Sequence, residues 1–213
     1  MPPVPSGAAE SSTEPLLVVE SLTGPHFGPV TLDVPAGEVL VLSGASGVGK
    51  SLILRGIADL DPVDGGVYVQ GMARDRYSPT EWRRLVGLLP SESHWWSNRV
   101  GDHFPNNGGR WLETLGLDGE AVSWSVSRLS SGERQRLALL RMLAIEPRIL
   151  LLDEPTANLD PESTRAVESL VMQYLDERSA CAIWVSHLQA QVDRIGSRIV
   201  RIGAGGKVSE TVA

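Results

Sequence analysis

Short apolar runs alternate with longer amphipathic segments along most of the chain. Apolar residues spaced three and four apart predict helices over residues 50–58, 133–146 and 162–178. Runs rich in Val, Ile and Leu predict strands over residues 16–22, 30–34, 38–43, 67–70, 85–89, 149–152, 180–185 and 198–202. Because strands that alternate with helices are typical of a parallel sheet covered on both faces, the pattern predicts an α/β fold.

Two stretches do not follow this alternation. Residues 1–14 are rich in Pro, Ser, Gly and Ala, which predicts a disordered leader before a single domain over residues 15–213. Residues 92–140 contain several glycines and predict an inserted, mostly α-helical lobe. Four of the six tryptophans lie in this lobe, and they form either a groove for the helix of a partner or a small core. These four are Trp95, Trp96, Trp111 and Trp124.

Composition narrows the class of protein. Hydrophobic residues make up 42% of the chain and charged residues 21%, which is typical of a soluble globular protein. The net charge of -7, from 19 basic and 26 acidic residues, does not indicate a broad surface for nucleic acid. The single cysteine, Cys181, and the absence of a secretory start favour the cytoplasm. The chain has only two lysines, Lys50 and Lys207, so the position of each is informative.

A phosphate-binding loop follows the predicted strand 38–43. The pattern G-x-x-x-x-G-K-[ST] is made by Gly44, Ala45, Ser46, Gly47, Val48, Gly49, Lys50 and Ser51, with a predicted helix after it. Glycines allow the backbone N–H groups to turn towards phosphate oxygens, and the helix N-terminus adds a favourable partial charge. Lys50 is placed to neutralise the β- and γ-phosphates, and the Ser51 hydroxyl to bind Mg²⁺. The loop therefore predicts a nucleotide site.

Two carboxylates follow the buried strand 149–152. Taken alone, Asp153 and Glu154 before Pro155 are also compatible with an ordinary turn. Ligands of α/β proteins bind at the carboxyl ends of parallel strands, which makes a catalytic role the stronger interpretation beside a phosphate loop. We expect Asp153 to hold Mg²⁺, directly or through water, and Glu154 to orient or deprotonate the attacking water.

Three further segments occur in a set order around these carboxylates. Residues 129–133 read LSSGE, residues 158–160 read NLD, and residues 184–187 read WVSH. With the phosphate loop, they resemble the nucleotide-binding subunit of ABC (ATP-binding cassette) proteins over roughly residues 16–203. The resemblance implies that Ser130, Ser131 and Gly132 contact ATP held by a second subunit, that Asp160 closes the family's D-loop, and that His187 is its switch histidine.

The same resemblance implies a fold and a function. The expected fold is a largely parallel P-loop core with an N-terminal antiparallel β portion and an inserted α-helical lobe. The expected function is Mg²⁺-dependent ATP hydrolysis by a head-to-tail homodimer that drives a separate multi-span permease, whose helix the tryptophan-rich lobe would receive. We therefore expect a cytoplasmic protein, peripheral at the inner face of the cell membrane, with no nucleic-acid partner. The alternative is a nucleotide-dependent regulatory or binding module with weak hydrolysis.

Three positions depart from the family pattern. Ser131 stands where the family's signature has its first glycine. No aromatic residue stands clearly where the adenine-stacking residue is expected; Phe27 and His26 are candidates, and Phe27 could equally belong to the core. Ser91 stands where a Mg²⁺-sensing glutamine is expected, and Glu92 either replaces it as a metal ligand or belongs to an ordinary polar loop.

Overall fold

The computed structural model describes residues 14–104, 110–196 and 198–203, together with the backbone of 208–212. The strands are β1 (Leu17–Gly24), β2 (Phe27–Val34), β3 (Val39–Gly44), β4 (Asp64–Val69), β5 (Met72–Ala73), β6 (Val86–Leu89), β7 (Ile149–Asp153), β8 (Cys181–Val185), β9 (Arg198–Ile202) and β10 (Val208–Val212). The helices are α1 (Lys50–Ile57), α2 (Pro79–Leu85), α3 (Ser131–Leu143), α4 (Pro161–Arg178) and α5 (Gln189–Ile195). All but the last residue of the predicted leader 1–14 lies outside the described residues.

The main sheet has six strands in the order β10-β9-β3-β8-β7-β6. Neighbouring strands from β9 to β6 pair in parallel, and β10 pairs antiparallel with β9 at the edge. Every residue of β7 and β8 is buried, which accounts for their continuous apolar sequences. The predicted parallel core is therefore confirmed.

A second sheet packs on this core. It is antiparallel, with the strand order β2-β1-β4-β5, and it confirms the expected N-terminal β portion. Strand β4 begins at Asp64, three residues before the predicted strand 67–70. The reason is that Asp64 and Gly66 pair with β1, so this glycine-rich segment extends a strand instead of forming a free turn.

The two faces of the main sheet bury separate apolar clusters. Leu150, Leu152 and Trp184 face the cluster that contains the apolar sides of α3 and α4. Leu151 and Ile183 face the opposite cluster, which contains α1 and the antiparallel sheet. Alternate residues of a strand point to opposite faces, so packing on both sides holds the register of the strands. Because β3, β6, β7 and β8 run parallel, their carboxyl ends lie at one common edge of the sheet.

The predicted lobe over residues 92–140 differs from the expectation. Its described residues before α3 form short 3-10 turns instead of α-helices, at Val100–His103, Glu113–Leu115, Ala121–Ser123 and Val126–Arg128. Glycines interrupt the stretch, and Gly116 ends one turn in the left-handed conformation (φ +63°). Among the described residues of 92–140, α-helix is therefore confined to the first part of α3.

Helix α4 is the longest of the described helices, with 18 residues. It is amphipathic and packs one face on the main sheet through Val167, Leu170 and Val171. None of the helices in the described part of the chain is long and apolar enough to cross a membrane.

Candidate functional site

Four neighbouring parallel strands bring the predicted site residues to one edge of the main sheet. The phosphate loop follows β3, and Ser91 lies two residues after β6. Asp153 is the last residue of β7, and His187 lies two residues after β8. The carboxyl edge of a parallel sheet is the usual ligand site of α/β proteins, and here it gathers a cation, two carboxylates and an imidazole.

The phosphate loop depends on glycine at two positions. Gly44 has φ +151°, and a Cβ atom there would lie 2.4 Å from the carbonyl oxygen of Ile202. Gly49 has φ +101° and caps the N-terminus of α1 without a side-chain hydrogen bond. The first amides of α1 therefore have no side-chain cap, and an uncapped helix N-terminus favours a bound phosphate.

Lys50 points back into this loop. Its side chain is buried, and the Nζ atom donates hydrogen bonds to the carbonyl oxygens of Gly44 and Ala45, both at 2.9 Å. Burial lowers the pKa of Lys50, while the nearby carboxylates of Glu154 and Asp153 act in the opposite direction. The loop thus holds its ammonium group beside the place where its backbone can wrap a phosphate.

Asp153 and Ser51, the two predicted metal ligands, lie together next to Lys50. Burial raises the pKa of Asp153, and hydrogen bonds from the Ser51 hydroxyl and the Ser91 backbone amide partly offset this rise. No group of three or more His, Cys, Asp or Glu side chains in the described residues is arranged to hold a metal by itself. One carboxylate and one hydroxyl suit Mg²⁺, because this ion takes its remaining ligands from water and substrate phosphate.

Glu154 and His187 face each other across the ends of β7 and β8. The Oε1 atom of Glu154 lies 3.0 Å from the Nε2 atom of His187, and both side chains are partly exposed. Glu154 has φ +49°, an uncommon conformation for a residue with a side chain, and such strain concentrates at functional sites. An acid-base pair is therefore open to solvent immediately beyond the buried Asp153.

The signature turn caps helix α3. The Ser130 hydroxyl donates to Glu133 Oε2 at 2.7 Å, while the Glu133 amide donates back to Ser130 Oγ at 3.2 Å. Ser130 and Ser131 are exposed. A Cβ atom at Gly132 would lie 3.2 Å from Leu159 Cδ2, so the turn packs on the segment that follows the two carboxylates. Two exposed hydroxyls thus stand at the N-terminus of a long helix.

Asp160 has a structural task in this chain. It is the N-cap of α4, and its carboxylate accepts hydrogen bonds from the amides of Glu162 and Ser163, both at 2.9 Å. The hydroxyl and amide of Ser163 are the main groups that lower the pKa of Asp160 to about 2. A nucleotide contact through Asp160 remains a prediction, and the structure shows the side chain engaged in the cap.

The structure does not support Phe27 as the residue that stacks on adenine. Phe27 is only 5% exposed and belongs to the cluster between the two sheets. Its ring covers Gly24, where a Cβ atom would lie 2.5 Å from Phe27 Cε1. His26 is exposed, and its carbonyl oxygen lies 3.3 Å from the ideal Cβ position of Gly49. Of the two candidates, only His26 offers a free ring beside the phosphate loop.

A cleft of about 720 Å³ extends from the metal-ligand pair into the tryptophan-rich lobe. Ser51, Asp153 and Glu92 are among the residues that line it, and the role of Glu92 as a metal ligand stays a prediction. Trp96 and Arg141 also line it, with the Arg141 guanidinium 5.1 Å from the Trp96 ring centroid.

The tryptophans of the lobe divide between the two interpretations. Trp111 is buried against Tyr174, with ring centroids 5.9 Å apart, and therefore serves the core. Trp96 is 74% exposed, which is compatible with a groove that receives the helix of a partner.

Sequence reasoning missed a buried polar cluster beside the Glu154–His187 pair. It joins the buried residues Thr156, Glu168, Ser186 and Gln191 to the exposed Arg194 through hydrogen bonds of 2.8–3.1 Å. The available signal was weak, since it consisted of one amide and one carboxylate at buried positions of helices that are otherwise ordinary in sequence.

These features define a P-loop nucleotide-binding protein, and comparison with known proteins narrows the class. The model of the ABC transporter family matches residues 27–157. The phosphate import ATP-binding protein PstB of Aeropyrum pernix is 33% identical over 206 residues, which cover 83% of this chain and 80% of that protein. Protein STAR1 of Oryza sativa subsp. japonica is 35% identical over 189 residues, covering 83% of this chain and 55% of STAR1.

A solved structure extends the likeness to the whole fold. The dimeric ATP-binding cassette in a post-hydrolysis state with ADP and Pi has a TM-score of 0.80 at 23% identity. The match covers 92% of this chain and 98% of that chain. The chain therefore belongs to the ABC transporter family, as an ATP-binding cassette ATPase domain. The family and fold class predicted from the sequence are confirmed.

Proposed function

We propose that the chain binds Mg-ATP at its phosphate loop, hydrolyses it within a head-to-tail dimer, and drives a separate membrane permease. The observation that carries the proposal is the convergence of Lys50, Ser51, Asp153, Glu154 and His187 at one edge of the sheet. This set contains every group that phosphoryl transfer to water requires: a phosphate cradle, metal ligands and a base.

Each residue has a task that follows from its position. The loop amides and Lys50 hold the phosphates, and Ser51 and Asp153 hold Mg²⁺, which offsets the negative charge of the phosphates when bound. Glu154 is exposed enough to accept a proton from a water molecule next to the terminal phosphate. His187, at 3.0 Å from that carboxylate, keeps it oriented and is placed to contact the same phosphate.

A second copy of the chain supplies the remaining contact. Ser130 and Ser131 are exposed residues at the N-terminus of α3, and the positive end of a helix favours a nearby anion, although the Ser130 hydroxyl is engaged with Glu133 within the chain. Within one chain this turn packs on Asn158 and Leu159, which leaves its outer face open to ATP on another subunit. Ser131 is also exposed, so its Cβ atom, which a glycine would lack, narrows the space for ATP at this contact and does not affect the packing of the core.

The cleft is the surface that best fits a permease. Leu60, Ile145 and Trp96 line it and are exposed large hydrophobic side chains, which are uncommon together on a surface without a partner. Aromatic and apolar side chains of this kind anchor the helix of a partner in a groove. The similarity to PstB, a phosphate import ATP-binding protein, supports a position at the cytoplasmic face of a membrane.

The substitution Glu154→Gln tests the proposal. It preserves shape and hydrogen bonding but removes the base, so we expect ATP to bind with unchanged affinity while hydrolysis falls at least a hundredfold. An ATP-bound dimer is then expected to accumulate and to elute earlier in size-exclusion chromatography, only with ATP and Mg²⁺. Glu113→Gln, the same change at an exposed residue of the lobe, is the control. Normal hydrolysis by Glu154→Gln would contradict the proposal, and a wild-type rate too low to measure would favour the regulatory alternative.

A further inference from the structure

Gln191 lies at the centre of the buried polar cluster beside the proposed catalytic pair. It is 2% exposed and sits on the first turn of the short helix α5. Its amide nitrogen donates to Thr156 Oγ1 at 2.9 Å and to Glu168 Oε1 at 2.8 Å, while its Oε1 atom accepts a hydrogen bond from the Ser186 hydroxyl at 2.8 Å. Three of its four hydrogen-bonding positions are therefore used inside the protein.

The orientation of this amide follows from its neighbours. Glu168 is buried, and both of its side-chain oxygens accept hydrogen bonds from Arg194, at 2.8 and 3.1 Å. A carboxylate only accepts hydrogen bonds, which requires the NH₂ side of Gln191 to face it. The carbonyl side of the amide is thereby directed at Ser186.

The two loops that Gln191 joins carry the two proposed catalytic side chains. Ser186 immediately precedes His187, and Thr156 lies two residues after Glu154. Residues of both loops line a cavity of about 180 Å³, and Gln191 lines it together with Glu154 and His187. Gln191 thus connects the chain on one side of the pair to the chain on the other side, without touching either member.

We propose that Gln191 is a positioning residue, which sets the separation between Glu154 and His187 by fixing Ser186 to Thr156. The inference rests on the proposed function. The amide reaches both loops at once, and Glu168, held by Arg194, anchors it to helix α4. Displacement of reacting groups by about 1 Å commonly lowers turnover by two orders of magnitude. The cluster lies away from the phosphate loop, so the affinity for ATP does not depend on it.

Two substitution pairs test this role. Gln191→Leu keeps the volume and removes all three hydrogen bonds, and Gln189→Leu is its control, because Gln189 is exposed on the same helix and bonds only Asp193. Thr156→Val removes the hydroxyl that accepts from Gln191, whereas Thr156→Ser retains it. We expect Gln191→Leu and Thr156→Val to lower kcat about tenfold or more, with the KM and Kd for ATP within twofold of wild type. Gln189→Leu and Thr156→Ser are expected to retain wild-type turnover.

Two results would overturn the proposal. One is a kcat within twofold of wild type in both Gln191→Leu and Thr156→Val. The other is a loss of turnover accompanied by an equal loss of ATP binding and folded fraction, which a purely structural role would produce. A crystal structure of Gln191→Leu provides a readout that does not depend on hydrolysis. An unchanged Glu154–His187 separation would refute the positioning role, even if the Glu154→Gln experiment disproved the ATPase mechanism itself.

Discussion

Replacing Lys50 with alanine removes the only cationic side chain of the phosphate loop. In the structure its ammonium donates to the carbonyl oxygens of Gly44 and Ala45, both at 2.9 Å and both uncharged. Bound ATP would offer phosphate oxygens instead, so each charge-assisted bond to a neutral carbonyl would be exchanged for a stronger bond between opposite charges. We expect each exchange to contribute about 1–2 kcal/mol, and hence about 2–4 kcal/mol for the two bonds.

This difference corresponds to a loss of ATP affinity of roughly 30-fold to 1,000-fold. Isothermal titration calorimetry on Lys50→Ala and wild type, at the same Mg²⁺ and salt concentrations, measures it directly. Lys207→Ala is the control, because it makes the same change at the only other lysine of the chain. The thermal unfolding midpoint is recorded as well, since Lys50 is buried and holds two carbonyl groups of the loop. A folded Lys50→Ala variant with a Kd within threefold of wild type would refute the assignment of the phosphate site.

Two further predictions concern residues at the rim of the site. In the folded protein the pKa of Asp160 is lowered to about 2, whereas in the unfolded chain it is near 4. The ionised carboxylate therefore stabilises the fold fully above about pH 4, and this stabilisation is lost as the pH falls towards 2. The variant Asp160→Asn can still cap the helix but does not titrate. Between pH 5 and pH 3 we therefore expect its free energy of unfolding, measured by urea denaturation, to fall less than that of wild type. An equal fall in both proteins would contradict the role of Asp160 as a charged cap. Ser91→Gln restores the family residue and is expected to increase stimulation of the ATPase by a permease, whereas Glu92→Ala weakens Mg²⁺ dependence only if Glu92 is a metal ligand. If neither change alters turnover, metal dependence or stimulation, this loop does not couple the site to a partner.

The parts of the fold that were predicted correctly depend on local patterns. Strands β7 and β8 are buried on both faces and are apolar throughout, apart from Asp153 at the end of β7, and such apolar runs are visible in the sequence. Helix α5 was missed because it is short and its N-cap, Leu188, has no capping side chain. Within residues 92–140 the sequence predicted the helix that is observed as α3, whereas the 3-10 turns before it have three or four residues each and are too short to leave a periodic apolar pattern.

The candidate site divides in the same way. The phosphate loop and the carboxylates follow predicted strands directly, so the topology of a parallel sheet was enough to bring them together. Phe27 was harder to place, because irregular pairing between β1 and β2 near Gly24 shifts the alternation that marks the inward positions. The link from Gln191 to Thr156 spans 35 residues of chain, and no local pattern reports a contact of that range.

Ser91 shows how the fold compensates for an unusual residue. Its main-chain N–H lies close enough to Asp153 to lower the pKa of that carboxyl, and any residue other than proline carries this group. The proposed Ser51–Asp153 ligand pair therefore tolerates serine at position 91. What serine lacks is the length to extend from Asp153 along the cleft, which Trp96 and Arg141 also line. A permease bound beside Trp96 would then act on Asp153 mainly through the main chain after β6, which couples the two more weakly than a bridging side chain. We therefore expect hydrolysis by this chain to depend less on its permease than is typical of the family.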